Sequence, residues 1–600
     1  MTEFSDFIED MELIDIDLYG GKYTWKKGDR HTTTARLDRF LLSEEWDTNF
    51  SCIKQSVLSR VVSDHSPLLL QCGEWGQSNS YFKFENWWLH TEGFNAKVRD
   101  WWESFNYTGR PDYVLIAKLK ALKGKLKEWR KTIQGNLKMQ KANVLKQLAD
   151  LEEIQEQRAL EEREIASRLA LTMEFEDIAK HEEIAWRQRS RALWLKQGDR
   201  NTSFFHRTAN QHRRINSIDK LKVNGVEIAE PEEIKKEIVE YYERLYTESK
   251  EWRPQLDMRN CPRIDEIDGN FLEAPFEAEE ILESIKACAG DKAPGPDGYT
   301  MAFFRQCWDI IRHELVAAVQ NFYARECFEK SFNATFVALI PKKVGAIELN
   351  DFRPISLVGG VYKIISKLLA ERLKKVIHRI VDRQQMAFIK GRQIMDAVVI
   401  ANELVDSRVK SKQPGIICKL DIQKAYDHVY WNYLVNMLQK MGFGSKWIRW
   451  IKYCIGTVKF SVLINRSPTG FFSSQRGLRQ GDSLSPFLFI LAMEGMSSLI
   501  NTAKAKDWIR GFQVQNRASN NLEITHLQYA DDTLVFCEAV RNHFLILRTI
   551  FIIFEAVSGL HINWGKSYIY PINEVVQIEE LANTLGGQIG ELPTIYLGCH

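Results

Sequence analysis

The chain has no pair of cysteines at C-x-x-C spacing and no histidine cluster at the intervals that hold zinc. Its ten cysteines are scattered over 600 residues. That pattern excludes a disulfide framework and fits mostly buried thiols in a reducing compartment. An excess of one charge is also missing. Lysine and arginine number 81 against 79 acidic residues, a formal net charge of +2, so partners must be read from local clusters. The opening stretch, MTEFSDFIEDMELIDI, is acidic and is not a signal peptide. Long hydrophobic runs are absent too. The most apolar stretches, SPFLFILAMEGM and FLILRTIFIIFEAV, are too short to span a bilayer, and they carry Glu494 and Arg548 with Glu555. They read as core helices of an intracellular protein without membrane attachment. No internal repeat or low-complexity tract interrupts the chain.

What is present sorts into four regions, as a length of 600 residues leads one to expect. Residues 1–75 are mixed, with short strand-like runs (GKYTW, SPLLL) and a Gly20-Gly21 turn signal. Residues 76–230 are rich in Trp, Lys, Glu and Arg and poor in Pro and Gly, which predicts helix. Lys118 to Lys146 holds nine lysines, and the stretch after it turns acidic. A solvated helical hairpin with arms of opposite charge is the favoured reading, ahead of a nucleic-acid patch. Farther on, RALWLKQGDRNTSFFHRTANQHRRINSI mixes cations with aromatics, the composition that grips phosphates and stacks on bases. A core helix with a basic face explains it nearly as well. Residues 231–330 place helices around GDKAPGPDGY, which its glycines and prolines forbid from being helix or central strand. From 331 to 600 strand-like and helix-like runs alternate, as in an α+β domain.

The chemistry concentrates in that last region. In HLQYADDTLVF, Asp531 and Asp532 stand side by side among apolar residues, although like charges repel and burying them is costly. Upstream, GIICKLDIQKAYDHVYWNYLVNML reads as a buried strand ending at Asp421. A helix then carries Trp431, Leu434, Leu438 and Met441 on one face and stops at Gly442. If the strands are neighbours, three carboxylates converge. Such a cluster needs cations, and all-oxygen sites suit Mg²⁺. The plainer reading is that the two aspartates cap a hairpin turn.

Ordered motifs decide between these readings. YADD resembles the signature of reverse transcriptases, and KLDIQKAYD resembles their first catalytic aspartate motif. QRGLRQGDSLSPFLFIL is similar to their template- and nucleotide-positioning loop and helix. LIPKKVGAIELNDFRPISLVGGVYKIISKLLAERL resembles their fingers, and SGLHINWGKS and YLG the last palm motifs. KAPGPDG resembles the element before the fingers in non-LTR (LINE-type) retrotransposons, and the wording of the fingers and of GLRQGDSLSP resembles plant elements most. The resemblance covers roughly residues 280–600. It implies a right-hand polymerase with fingers and an antiparallel palm sheet, preceded by a helical linker.

By that resemblance, Asp421 and Asp531 are the principal metal ligands, helped by the backbone carbonyl of Ile422, with Asp532 the outer member. Two Mg²⁺ ions, or Mn²⁺ in their place, are the implied cofactors. Arg353, with Lys342 or Lys343, holds the triphosphate. Tyr426 lies under the incoming sugar and leaves no room for a 2′-hydroxyl. Gln480 and Gly481 lie along the nascent pair, and Lys566 protonates the leaving pyrophosphate. A core aromatic is the plainer reading of Tyr426, and an exposed lysine after a turn that of Lys566. The implied partners are an RNA template, a DNA primer or target DNA, and dNTPs. The implied setting is the nucleus or a cytoplasmic ribonucleoprotein.

Residues 1–75 resemble the C-terminal part of the endonuclease/exonuclease/phosphatase fold, an α/β sandwich, in GGKYTW, ARLDRFLLS and SDHSPLLL. That implies a vestigial nuclease site, in which His65 handles the scissile phosphate, Asp64 orients it and Asp38 belongs with it. The family's metal ligands would precede residue 1, and the thumb would follow residue 600, so the expectation is a polymerase without nicking activity. Open alternatives are an RNA-templated RNA polymerase, a maturase-like RNA-binding protein and an inert relic of a truncated element.

Overall fold

The computed structural model describes every residue except 1, 20, 28–32, 51–52, 58–63, 73–80, 159, 191–207, 209–210, 213–214, 258–260, 515–521, 595 and 598–600. Most of the basic, aromatic stretch at 191–218 therefore lies outside the described residues, as do Gly20, Ser63 and Gly598 of the quoted motifs.

Near the N-terminus a small sheet forms. Leu18–Tyr19 runs parallel to Lys54–Val57, which is antiparallel to Leu68–Gln71. Ile14, Ile16, Leu42 and Ile53 fill its core. Two long helices follow, α1 (Pro111–Gln157) and α2 (Glu162–Ser190). Pro111 suits the first turn of α1, where an N–H has no helical partner. The two helices pack against each other, and Lys141 meets Glu182 across them at 2.6 Å. Other lysines of α1 turn toward the body. Lys118 pairs with Glu314, and Lys123 sits over the ring of Phe82, where burial lowers its pKa. Helix α3 (Pro231–Tyr246) buries Ile234, Ile238, Tyr242 and Leu245, which recur at helical spacing.

The first large sheet contains β1 (Ala334–Pro341) and β2 (Phe352–Val358), followed by helix α4 (Gly360–Val376). Helix α5 (Ile394–Lys410) then leads to β3 (Gly415–Leu420) and α6 (Trp431–Lys440). Next come β4 (Lys459–Ile464), β5 (Ser467–Ser473) and α7 (Ser485–Ala505). The hairpin β6 (His526–Tyr529) and β7 (Asp532–Glu538) precedes α8 (Arg541–Ser558), β8 (Tyr568–Ile572) and β9 (Gln588–Ile589). The first sheet has the order β2-β1-β4-β5, and α3 packs on it through Val337, Phe460 and Phe472. The second has the order β6-β7-β3-β8-β9 and is antiparallel except where β9 runs alongside β8.

Strand β3 is apolar except for Lys419, as a strand covered on both faces requires. Ile416, Cys418 and Leu420 point into the main core with α6, α7 and α8, whereas Ile417 faces α5 together with Leu534 and Phe536. That main core runs from Phe82 to Leu585 and includes Trp88, Trp102 and Leu115 from the helix-rich region. Each fully buried side chain of this size contributes about 1.5–3 kcal/mol. The run SPFLFILAMEGM lies in α7, but the helix continues to Ala505. Its 21 residues are long and apolar enough to cross a membrane by length and composition, a correction to the reading from the run alone, and 67% of its apolar window is buried.

The loop KAPGPDG is non-helical, as its composition requires, and it touches the start of α4. A Cβ at Gly295 would lie 2.4 Å from the carbonyl carbon of Val358, so only glycine allows this approach. Asp297 then accepts the N–H of Gly360 at the first turn of α4, where a carboxylate is favoured by the helix dipole. Burial nevertheless raises its pKa to about 6.

Candidate active site

Three carboxylates meet at one end of the second sheet. The β3–β7 register pairs Leu420 with Thr533, which places Asp421 beside Asp532 at the next step. Tyr529 pairs with Asp532, so Ala530 and Asp531 are the two residues of a tight hairpin turn. Ala530 has φ +57°, a left-handed conformation uncommon for a residue with a side chain. All three aspartates are exposed. The surrounding protein still raises Asp531 and Asp532, chiefly by desolvation, and the charge of Asp421 raises both further.

The backbone of Asp421 is pinned from the opposite edge. Its N–H is donated to Ser567 Oγ at 3.1 Å, and its carbonyl accepts from the N–H of Asn563 at 2.7 Å. Ile422 continues this pairing opposite Ile562. Successive carbonyls of a strand point to opposite edges, so that of Ile422 points away from the Asn563 edge. Among the described residues no three His, Cys, Asp or Glu form a ready-made metal cage. The donor set still fits a divalent cation. It offers only oxygens, the Asp421 charge raises the pKa of Asp531 and Asp532, and it is open to water and phosphate, as Mg²⁺ requires.

Cations collect nearby. Lys342, at the end of the β1–β2 hairpin, has Arg353, Lys566 and Lys424 close enough to lower its pKa, although burial is the larger cause. Lys343 does not join them: it is mostly exposed and pairs with Asp351 at 3.0 Å. Of the two lysines expected from the sequence, the structure therefore brings Lys342 to Arg353. Lys424 is an addition. Residue-type patterns could not single it out, because its position depends on a left-handed φ of +47° and on Tyr241 of α3, whose hydroxyl it meets.

Tyr426 is half-buried, and its ring stacks on Phe489 of α7. Burial raises its phenol, with a further contribution from Asp531, so the ring lies near the carboxylates. The Tyr426 carbonyl accepts the N–H of Leu478 at 2.7 Å, tying this segment to the QRGLRQGD loop. In that loop the Gln480 carbonyl accepts the N–H of Ser356 of β2 at 2.7 Å. Gly481, at φ +105°, lies so close to β2 that a Cβ would stand 3.1 Å from the Ser356 carbonyl oxygen. The loop is locked by a buried pair that sequence reasoning missed, Arg479 with Asp482 at 3.2 Å. Tyr362 donates to Asp482 at 2.9 Å, and Arg479 donates to Asn333 at 2.6 Å. Asp427, the last residue of KLDIQKAYD, is buried; burial raises its pKa to about 6, and it accepts from Tyr246 of α3 at 3.0 Å.

The N-terminal residues also assemble, with one correction. The hydrogen-bonded carboxylate of His65 is that of Asp38, 2.9 Å from Nδ1, while Asp64 acts on the ring through its charge. Asp64 instead accepts the indole N–H of Trp25 at 2.9 Å. The His65–Asp38 hydrogen bond lowers Asp38 and raises His65.

Residues 340–600 match the family model of reverse transcriptase (RNA-dependent DNA polymerase). An uncharacterized 149 kDa protein of transposon TX1 from Xenopus laevis is 25% identical over 555 residues, 90% of this chain. The Pol polyprotein of the type-1 retrotransposable element R2 from Nasonia vitripennis is 28% identical over 228 residues, 37% of this chain. The match to that family covers residues 340–600, and both of these relatives are proteins of transposable elements. An uncharacterized mitochondrial protein of Arabidopsis thaliana is 46% identical over 71 residues, 12% of this chain and 56% of that one. The chain spans 41% of the length of the Xenopus protein and 21% of the Nasonia one. Tyr241, Tyr246 and Asp297 all lie outside the matched reverse transcriptase segment, yet they hold residues within it.

Proposed function

We propose that the chain is an RNA-directed DNA polymerase that adds deoxynucleotides to a primer 3′-hydroxyl on an RNA template. The observation that carries this reading is one juxtaposition. Asp421, Asp531 and Asp532 share one sheet end, and Lys342, Arg353 and Lys566 stand together, with Lys566 next in the chain to Ser567, which accepts the Asp421 N–H. The carboxylates would hold the divalent cations, taken as Mg²⁺, that activate a hydroxyl and stabilise a leaving pyrophosphate when bound. The carbonyl of Ile422 adds a neutral oxygen to that set.

The remaining work falls to the protein's own groups. Lys342 and Arg353 neutralise the triphosphate, with Arg353 able to fork across two oxygens. Lys566 delivers a proton to the departing pyrophosphate. Tyr426 blocks the space a 2′-hydroxyl would need. Gln480 and Gly481 lie along the nascent base pair, where the absence of a side chain lets backbone approach. RNA and hybrid duplex would be held through shape and phosphates rather than sequence.

Extension of a DNA primer on an RNA template tests the proposal. Asp531→Asn keeps size and removes charge, and it should abolish extension by at least about a hundred-fold, the scale of losing one preorganised electrostatic group. Equal extension by Asp531→Asn and the parent would refute the assignment.

A further inference from the structure

The turn that carries Asp531 does not rest on its hairpin alone. A segment before α5, residues 384–386, lies along the outer edge of β6. Gln528 donates its N–H to the Gln384 carbonyl at 2.9 Å, and Met386 donates to the Gln528 carbonyl at 2.8 Å. Between these bonds Gln385 is buried, and its side chain reaches past the strand to the turn. Its Oε1 accepts the N–H of Ala530 at 3.0 Å and that of Ala387 at 3.1 Å. Its Nε2 faces Gln528 Oε1 at 3.4 Å, and that oxygen also accepts from Ser497 of α7 at 3.0 Å. Arg392 fixes the segment by donating to the carbonyls of Asp382 and Gln385.

We propose that Gln385 is a positioning residue for Asp531: it holds the Ala530 peptide in its left-handed conformation and so sets where the Asp531 carboxylate points. The proposal rests on the polymerase reading above. The reason is conformational. Ala530 has φ +57°, which residues with a Cβ avoid, and glycine would be the unstrained choice. A strained turn at a functional site persists only when its surroundings over-determine it. The buried amide does so from outside the reverse transcriptase signature, on a loop 145 residues upstream. Its acceptor also satisfies a main-chain donor that Ala530, itself buried, would otherwise leave unpaired.

Gln385→Met keeps the volume and removes the acceptor. In the full chain without metal, amide hydrogen exchange of the peptide covering Gln528–Thr533 should speed up by roughly ten-fold or more, while Gly415–Leu420 stays as protected as in the parent. In primer extension, kcat should fall by about ten- to a hundred-fold, with KM for the dNTP within about two-fold. Adding Ala530→Gly to Gln385→Met should restore part of kcat, because glycine adopts the turn without a brace. Should Gln385→Met fail to fold, Gln385→Asn, one methylene too short to reach, carries the same measurements. Parental exchange and parental kcat would overturn the proposal, and so would a uniform loss of protection across the sheet. Asp531→Asn is run alongside. Extension that survives it defeats the polymerase reading, and the exchange measurement then judges the brace by itself. Extension lost in Asp531→Asn but intact in Gln385→Met defeats the brace alone.

Discussion

The ring of Tyr426 lies on that of Phe489, with centroids 4.8 Å apart and planes 17° from parallel. Phe489 is fully buried in α7, so it is a fixed platform. If the exposed side of the Tyr426 ring limits the sugar, Tyr426→Val should raise ribonucleotide use relative to dNTP use by about ten- to a hundred-fold. That is the scale of relieving an overlap of roughly 1–3 kcal/mol. Single-nucleotide extension with dNTPs and rNTPs, compared as kcat/KM ratios, is the measurement. An unchanged ratio with dNTP activity intact would mean that the stack with Phe489 is the tyrosine's whole role.

Lys342 and Lys343 are neighbours in sequence with different surroundings, and this difference can be measured. Lys342 Nζ donates to the Asn350 carbonyl at 2.8 Å and faces Arg353 and Lys566. Lys343 is held by an exposed pair with Asp351, a type of contact worth little. Lys342→Ala should raise KM for dNTPs by on the order of ten-fold, as expected for one charge-assisted hydrogen bond. Lys343→Ala should change it by less than about three-fold. The reverse order would place the triphosphate elsewhere.

Glu494, deep in α7, makes the fold sensitive to alkali. Burial raises its pKa to about 8, the charge of Asp382 adds to this, and it accepts the N–H of Asp382 at 3.0 Å. A carboxyl group with a raised folded pKa contributes stability that is present below its unfolded pKa of 4.5 and is lost as pH rises through about 8. Glu494→Gln imitates the protonated acid and should remove that dependence. Its Tm should lie closer to the parent's at pH 5 than at pH 8.5, where the variant should be more stable by about a few kcal/mol. Parallel Tm curves for the two proteins across that range would show that Glu494 does not titrate there.

The elements that local pattern specifies were legible. The apolar run GIICKL became a central strand, and the YADD tetrapeptide became a two-residue hairpin turn. Neighbouring of the two strands then followed from register, bringing Asp421 to Asp532. Polar pairs formed across long separations left no such trace. Arg479 with Asp482 reads as surface charge, although its surroundings, Asn333, Tyr362 and Cys454, bury it. Gln385 sits in an unremarkable QQM sequence, and only the fold brings it to Ala530. The hydrogen-bonded partner of His65, Asp38, stands 27 residues upstream and comes to it only through the fold. Residues 76–230 read as a helical linker, yet Phe84, Trp88 and Leu122 within them share a core with Ile364 and Leu488.

Strand β3 has one consequence for the order in which the protein is made. It leaves the ribosome before either of its neighbours, β7 on one side and β8 on the other. Both partners are translated more than a hundred residues later. Until Tyr568–Ile572 emerges, the most apolar strand of the sheet has open edges, the condition under which nascent chains pair wrongly or aggregate. The helices that will cover β3 are short of a surface to dock on for the same interval. The slow step of folding should therefore be closure around β3, reached only after nearly the whole described chain has been synthesised.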